Sequence, residues 1–310
     1  MDFKQIEAFV NVFKYKSFSK AAEATFLTQP TISVHIRRLE QELGVVLLDR
    51  QGKNIQPTPQ GTTFYKYATE ILATRDHVHD IFSGITENLK GSLEIQTSST
   101  PGQDFLPWTL KGFSDIYKDV QFNVEQSDSN QVINNLLNGI GEIGFVGKID
   151  SNELIYEPVF EDEPRLIVSN TRPAGKVQGD TISIEQFINE PFLWREQGLS
   201  WREESPSMES FKKILKENGY KESSLNVVAR INSIGVIRKT VATGLGVSVV
   251  SNSAIGKKDF EMGIKSYKIK EYDKTRTFYM AYRKKIYLSP IAEAFKEYVL
   301  TQRDLHGEKI

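Results

Sequence analysis

The stretch Phe18–Glu40, FSKAAEATFLTQPTISVHIRRLE, constrains this chain more than any other. Its alanines at 21, 22 and 24 are strong helix formers, and Ser19 is a suitable N-cap. Thr25–Thr28 interrupts the pattern. Thr28 then offers a cap to a second helix, with Pro30 in its first turn, where a missing N–H costs nothing. Ile32, Ile36, Leu39 and Leu43 follow at spacings of 4, 3 and 4, which makes one apolar face. The other faces carry Gln29, Thr31, Ser33, His35, Arg37 and Arg38. Glutamine reaches adenine edges, Ser, Thr and Pro touch base edges or thymine methyls, and arginines hold phosphates. The pair therefore suits a helix-turn-helix whose second helix leads into a DNA major groove. An ordinary amphipathic helical hairpin fits the helix pattern alone equally well.

The segment that follows separates the two. Residues 43–61, LGVVLLDRQGKNIQPTPQG, read as a short hairpin with Arg50 and Lys53 near its tip. With it, residues 1–61 resemble the DNA-binding domain of LysR-type transcriptional regulators. Phe9, Phe18, Ala21, Ala22, the run Thr28–Ser33, Ile36, Leu39, Glu40, Leu43, Gly44, Leu47, Arg50, Thr58 and Gly61 carry that resemblance. Leu48 stands where the family often has Phe, and His35 where it often has Gln. The resemblance implies a winged helix-turn-helix that binds double-stranded operator DNA as a homodimer or homotetramer, with RNA polymerase recruitment as an outcome. The DNA-contacting residues expected are Gln29, Pro30, Thr31, Ser33, His35, Arg37, Arg38, Arg50 and Lys53.

Charge bears on this. The chain has a formal net charge of −1, and residues 1–57 hold eight basic against six acidic side chains. A basic patch is the usual footprint of a DNA binder. Here the positive charge must be local, so modest affinity per module and a need for two or more modules are expected. The absence of cysteine excludes disulfides, thiolate metal sites and a thiol nucleophile. Four scattered histidines, with His77 and His79 on different faces of one helix, make no metal site. No stretch approaches 18 consecutive apolar residues, and MDFKQIEAF begins an amphipathic helix rather than a signal peptide, so a cytoplasmic protein is expected.

The opening helix, residues 2–16, has a capping box from Asp2 and Gln5. After Pro59 and Gly61 a heptad seam runs through Phe64, Ala68, Ile71, Arg75, Val78, Phe82, Ile85 and Leu89. Such a helix reads as a dimerisation linker or as a core helix of the next domain; the family resemblance implies the linker. From Gly91 strands alternate with helices, predicting a mostly parallel sheet covered on both faces. The expected fold class is thus α/β, with an all-α-type winged helix-turn-helix at the N-terminus. The resemblance implies a C-terminal two-subdomain α/β fold like that of periplasmic binding proteins. Expected bounds are 1–58 for the DNA-binding domain, 59–90 for the linker helix and 91–302 for the effector domain, with 303–310 as a tail. Subdomain I would take about 91–161 plus 267–302, and subdomain II about 162–266.

Ligands of open α/β sheets bind beyond the carboxyl ends of strands, and free N–H groups at helix starts favour anions. Ser98, Ser99 and Thr100 follow one strand, Ser127, Asp128 and Ser129 a second, and Asn232 and Ser233 a third. These residues, at one edge of one sheet, read either as a site for a small anion such as a carboxylate or sulfur oxyanion, or as plain helix caps. The segment 195–202, REQGLSWR, adds Arg195, Ser200 and Arg202 to the effector candidates. It is similar to a turn in LysR-type regulators linked to sulfur and selenium metabolism. Leu199 and Trp201 replace small hydroxyl residues there and would reshape or plug the pocket. Arg195 and Arg202 also read as surface charges paired with Glu196, Glu203 or Glu204.

Two motifs mislead. Gly139-Ile-Gly141-Glu-Ile-Gly144 matches G-x-G-x-x-G but ends a helix and enters a strand, so it reads as a helix end and tight turn and no cofactor is expected. Glu161-Asp162-Glu163 reads as a solvated crossover between subdomains. The alternative function is an α/β ligand-binding or enzymatic protein whose N-terminal helices serve assembly. No nucleophile–base pair supports the enzyme.

Overall fold

The computed structural model describes residues 1–50, 55–83, 89–171, 179–196, 206–272 and 275–306. It opens with α1 (Phe3–Tyr15), α2 (Phe18–Ala24) and α3 (Gln29–Leu43). The capping box at α1 forms as expected: Gln5 N donates to Asp2 Oδ1 at 2.8 Å and Asp2 N to Gln5 Oε1 at 3.1 Å. The cap of α2 is Ser17, which accepts from Lys20 N, and not Ser19, which lies inside the helix. The earlier serine wins because it is the residue with extended backbone, at φ −155° and ψ 125°. Thr28 caps α3 as expected. Ile32, Ile36 and Leu39 are fully buried, whereas Leu43 at the helix end stays 36% exposed. Gly44 ends α3 in the left-handed conformation, at φ +67°.

Strands β1 (Leu48–Asp49) and β2 (Gln56–Pro57) form the wing's antiparallel stem. Helix α4 (Pro59–Ser83) follows at once. Its first half belongs to the core of the DNA-binding domain. Tyr65 and Ala68 are buried there with Phe9 and Val12, and Phe64, Ile71 and Leu72 pack against them. The heptad seam therefore divides: Phe64, Ala68 and Ile71 are spent within the subunit. Arg75 reaches Glu7 of α1 and its neighbour Asp76, and Val78 is exposed. The Phe82 side chain and Ile85 lie outside the described residues, and Leu89 packs against the next domain.

That domain contains β3 (Gly91–Thr97), α5 (Leu106–Ile116), β4 (Val120–Gln126), α6 (Ser129–Leu137), β5 (Ile143–Val146) and β6 (Leu154–Asp162). It crosses into β7 (Pro164–Ser169), β8 (Thr181–Ile182), α7 (Ile184–Phe187), β9 (Pro191–Arg195), α8 (Pro206–Glu217), β10 (Asn226–Ile231), α9 (Ile234–Ala242), β11 (Ser248–Ser251), α10 (Lys257–Glu261) and β12 (Ile264–Ile269). It returns through β13 (Arg276–Arg283) and ends in α11 (Pro290–His306). A single five-residue turn of wider pitch, Pro101–Phe105, precedes α5.

The sheets are mixed rather than mostly parallel. Subdomain I has the order β4-β3-β5-β13-β6, with β13 antiparallel to both neighbours. Subdomain II has the order β11-β7-β12-β8, with β7 antiparallel to β11 and β12, beside the parallel pair β10-β9. The antiparallel pairs arise because only Glu163 separates β6 from β7, and the chain must come back alongside on its return. The second crossing falls between Ile269 and Arg276, since β12 pairs with β7 and β8, so residues 267–269 sit with subdomain II. Phe113, Phe145 and Phe295 anchor the core of subdomain I, and Phe187, Phe192, Trp194 and Phe211 that of subdomain II.

Candidate functional site

The N-terminal site is built on α3. Its buried stripe, Ile32, Ile36 and Leu39, fixes its rotation, so the outer face is set by helical period. Gln29, Pro30, Arg37 and Arg38 are exposed, and Thr31 and Ser33 are half-buried on the flanks. His35 is half-buried with a buried, unpartnered Nδ1. Val34, absent from the expected set, lies 43% exposed on the outer face. Its signal was the position opposite Ile32 and Ile36.

Arg50 is tied to the protein. It donates to Glu40 Oε2 at 2.9 Å and lies 5.2 Å from the ring centre of Phe18. The other oxygen of Glu40 accepts from Leu47 N and Leu48 N at 2.9 and 3.2 Å. One carboxylate thus fastens the wing to α3, and Arg50 spends part of its charge there. Lys53 lies outside the described residues.

The second site is a cleft of about 380 Å³ between the subdomains. Ser98, Ser99, Thr100, Ser129 and Arg195 line it, joined by Lys148, Arg276 and Phe278. Ser98, Thr100 and Ser129 are buried at the ends of β3 and β4. Ser127, Asp128, Asn232 and Ser233 are not in this lining. Asp128 caps α6 by accepting from Gln131 N, and Ser233 caps α9 by accepting from Val236 N. The expectation of three hydroxyl clusters along one sheet fails because Asn232 and Ser233 follow β10, in a separate sheet of subdomain II. Ser200 and Arg202, with Leu199 and Trp201, lie outside the described residues.

Arg195 is the centre of the cleft's electrostatics. It is 5% exposed rather than a surface charge, and Glu196 pairs with Arg230 instead. Its Nη2 donates to Ser99 Oγ at 2.6 Å, while its Nε is buried without a partner. Burial, and secondly the nearby Arg276 charge, pull its pKa down to about 10. Arg276 donates to Asp162 at 2.6 Å, and its Nε too is buried and unpartnered. Asp162 is 4% exposed, so the expected solvated crossover is a buried ion pair joining the two crossing strands. Asp104 and Asp162 both accept from the Ser253 hydroxyl, at 3.0 and 3.3 Å, which links subdomain I, crossing strand and subdomain II. Sequence reasoning missed Arg276 because the return strand brings it in from far along the chain. Among the described residues no group of three acidic or histidine side chains could hold a metal.

Two family models account for nearly the whole chain. "Bacterial regulatory helix-turn-helix protein, lysR family" matches residues 3–62, and "LysR substrate binding domain" matches residues 86–304. The chain belongs to the LysR family of transcriptional regulators. Curated relatives of this LysR-type regulator include an uncharacterized HTH-type transcriptional regulator of Methanocaldococcus jannaschii, 31% identical over 94% of this chain and 96% of the relative. The HTH-type transcriptional activator CmpR of a Synechocystis strain is 29% identical over 95% and 93%. A full-length OxyR variant from Pseudomonas aeruginosa shares the fold with a TM-score of 0.78 at 20% identity, covering 96% of this chain and 97% of that one. Full-length CbnR in complex with its target DNA aligns with a TM-score of 0.59 at 23% identity, covering 97% and 99%. This LysR-type protein is thus a DNA-binding regulator with an effector domain, and its relatives are regulators rather than enzymes. No helix among its described residues is long and apolar enough to cross a membrane.

Proposed function

We propose that this LysR-type regulator is switched by a small, singly charged anion, a carboxylate or sulfur oxyanion, held between the subdomains. Ser98, Ser99, Thr100, Ser129 and Arg195 would be its ligands, with Arg276 beside them. The observation that carries this reading is Arg195. A guanidinium removed from water without a carboxylate partner is costly, and an anion offsets that cost. Arg276 is paired with Asp162 and Lys148 with Asp150, which leaves Arg195 as the cation of the described lining without an ion pair and favours a monoanion. Phe278 and Ile149 supply an apolar wall for the rest of the molecule.

On the DNA side, Gln29, Pro30, Thr31, Ser33 and His35 would read bases, and Arg37, Arg38, Arg50 and Lys53 would hold phosphates. We assign DNA binding to 1–58, the linker to 59–90, whose first half also packs into the DNA-binding core, and effector binding to 91–302, in the compartment that contains the DNA. A homodimer, or a dimer of such dimers, supplies the second reading helix. Leu43, Val45, Val46 and Tyr67 are exposed together around the start of α4 and mark the side open to a partner.

The test is a footprint of the purified protein on the intergenic DNA flanking its own gene, repeated with a panel of small mono- and dianions. Protection that changes length with one monoanion, and no longer does so for Arg195→Met although that variant still binds DNA, is the expected outcome. A wild-type response that Arg195→Met preserves sinks the assignment. Any effect on polymerase recruitment is read separately by transcription in vitro.

A further inference from the structure

The outer face of α3 and the turn before it hold three apolar residues that stay exposed among the described residues. Pro30 and Val34 stand one turn apart, opposite the buried stripe of Ile32 and Ile36. Val34 is 43% exposed, on the surface that helical period directs away from the core. Phe26, in the turn between α2 and α3, is 97% exposed. Its φ is +55°, in the left-handed region that glycine enters without steric cost and a phenylalanine does not. Two backbone hydrogen bonds hold it there, Phe26 N to Glu23 O at 3.2 Å and Leu27 N to Ala22 O at 2.9 Å. A ring kept out of the core, on strained backbone, two residues before the cap of the reading helix, has its natural contact outside the subunit.

We propose that Val34 and Phe26, with Pro30 between them, form an apolar reading edge that contacts thymine C5-methyl groups in the operator. The inference rests on the placement of α3 in the major groove. Of the four bases only thymine presents a methyl group there, and small apolar side chains are what meet it. The N-terminal end of a recognition helix leads into the groove, which puts the preceding turn at the groove mouth within reach of the end of the half-site. The occupant is fixed by continuity: the edge adjoins Gln29 and Arg37, and no other part of the described chain covers it.

The experiment uses the full-length protein and an operator selected by it from random duplexes. Each thymine is replaced in turn by dU, which deletes the methyl and leaves the pairing edge intact. Loss of one buried methyl weakens binding by about fourfold. Wild type is expected to lose about that much at one or two positions of each half-site. Val34→Ala should bind dT and dU alike at one of them, and Phe26→Gly at another. Phe26→Gly relieves the backbone, so its unfolding midpoint should not fall, which separates lost contact from lost fold. Wild-type binding indifferent to dU at every thymine overturns the proposal, as does a full methyl preference in both variants. Gln29→Ala serves as the control for groove placement. If it changes operator preference while dU has no effect, only the apolar edge fails; if neither matters, α3 is not in the groove.

Discussion

Asp104 sits half-buried where the subdomains meet. Its carboxyl is pushed up to about 6, chiefly by burial and then by the Asp162 charge, against the pull of the Ser253 hydroxyl and of Arg238 and Arg195. An ordinary Asp carboxyl titrates near about 4. The folded protein therefore binds this proton more tightly than the unfolded chain does. The stabilisation from this group is full below about pH 4 and is lost as pH rises through about 6. Asp104→Asn should flatten that part of the profile and leave the protein no less stable at pH 7. Urea midpoints measured from pH 4 to 7 check this; an unchanged slope would place the titration elsewhere. The neighbouring Arg195 follows the same physics with the opposite charge. Arg195 and Arg276 each keep one buried N–H unpaired.

At the scale of elements, the joint between wing and linker helix is closely packed. Thr58 Oγ1 donates to Val46 O at 2.7 Å and accepts from Gly61 N at 2.9 Å. A β-carbon on Gly61 would lie 2.0 Å from Leu47 O, against backbone that cannot swing aside. Gly61→Ala should destabilise the DNA-binding domain by about 1–3 kcal/mol. DNA binding should weaken while the melting of the effector domain stays unchanged. Calorimetry that resolves the two transitions decides it, and a variant with unchanged melting would mean the joint yields.

Local devices of this kind were legible in the sequence. The Asp2 and Gln5 box, the Thr28 cap and the Gly139-Ile-Gly141 turn each rest on residues within one helical turn of one another. Gly139 and Gly141 do take positive φ, at +77° and +83°. Ser17 was passed over for Ser19 because capping depends on which residue is extended, and spacing alone does not fix that. The cleft was half legible. Hydroxyls beyond strand ends could be anticipated, but Arg276 and the buried Asp162 are brought in by strand crossing. Nothing local distinguishes the burial of Arg195 from that of Arg230, which is half exposed and paired with Glu196.

For the whole molecule, the contact between the DNA-binding and effector domains of one subunit is specific. Lys14 pairs with Glu94, and Arg283 donates to Glu70 at 3.2 Å. Ile140, in the turn after α6, packs against the DNA-binding core. Gly139 lies so close to α4 that a β-carbon would be 2.7 Å from Thr69 Oγ1. Ile140→Ser should lower stability by about 1–2 kcal/mol for a partly buried aliphatic. On the proposed function, it should also leave affinity for the effector anion intact while removing that anion's effect on the footprint. A footprint that still responds would show that the message travels another way.

Helix α6 starts at Ser129, in the wall of the cleft, and runs about 13 Å to the turn that carries Ile140. On the proposed function, the cleft and the reading head of one subunit are joined in cis by this one helical span. In an assembly of several copies, each cleft acting through this span would address its own helix. A mixed assembly with one blinded cleft would answer by halves instead of falling silent.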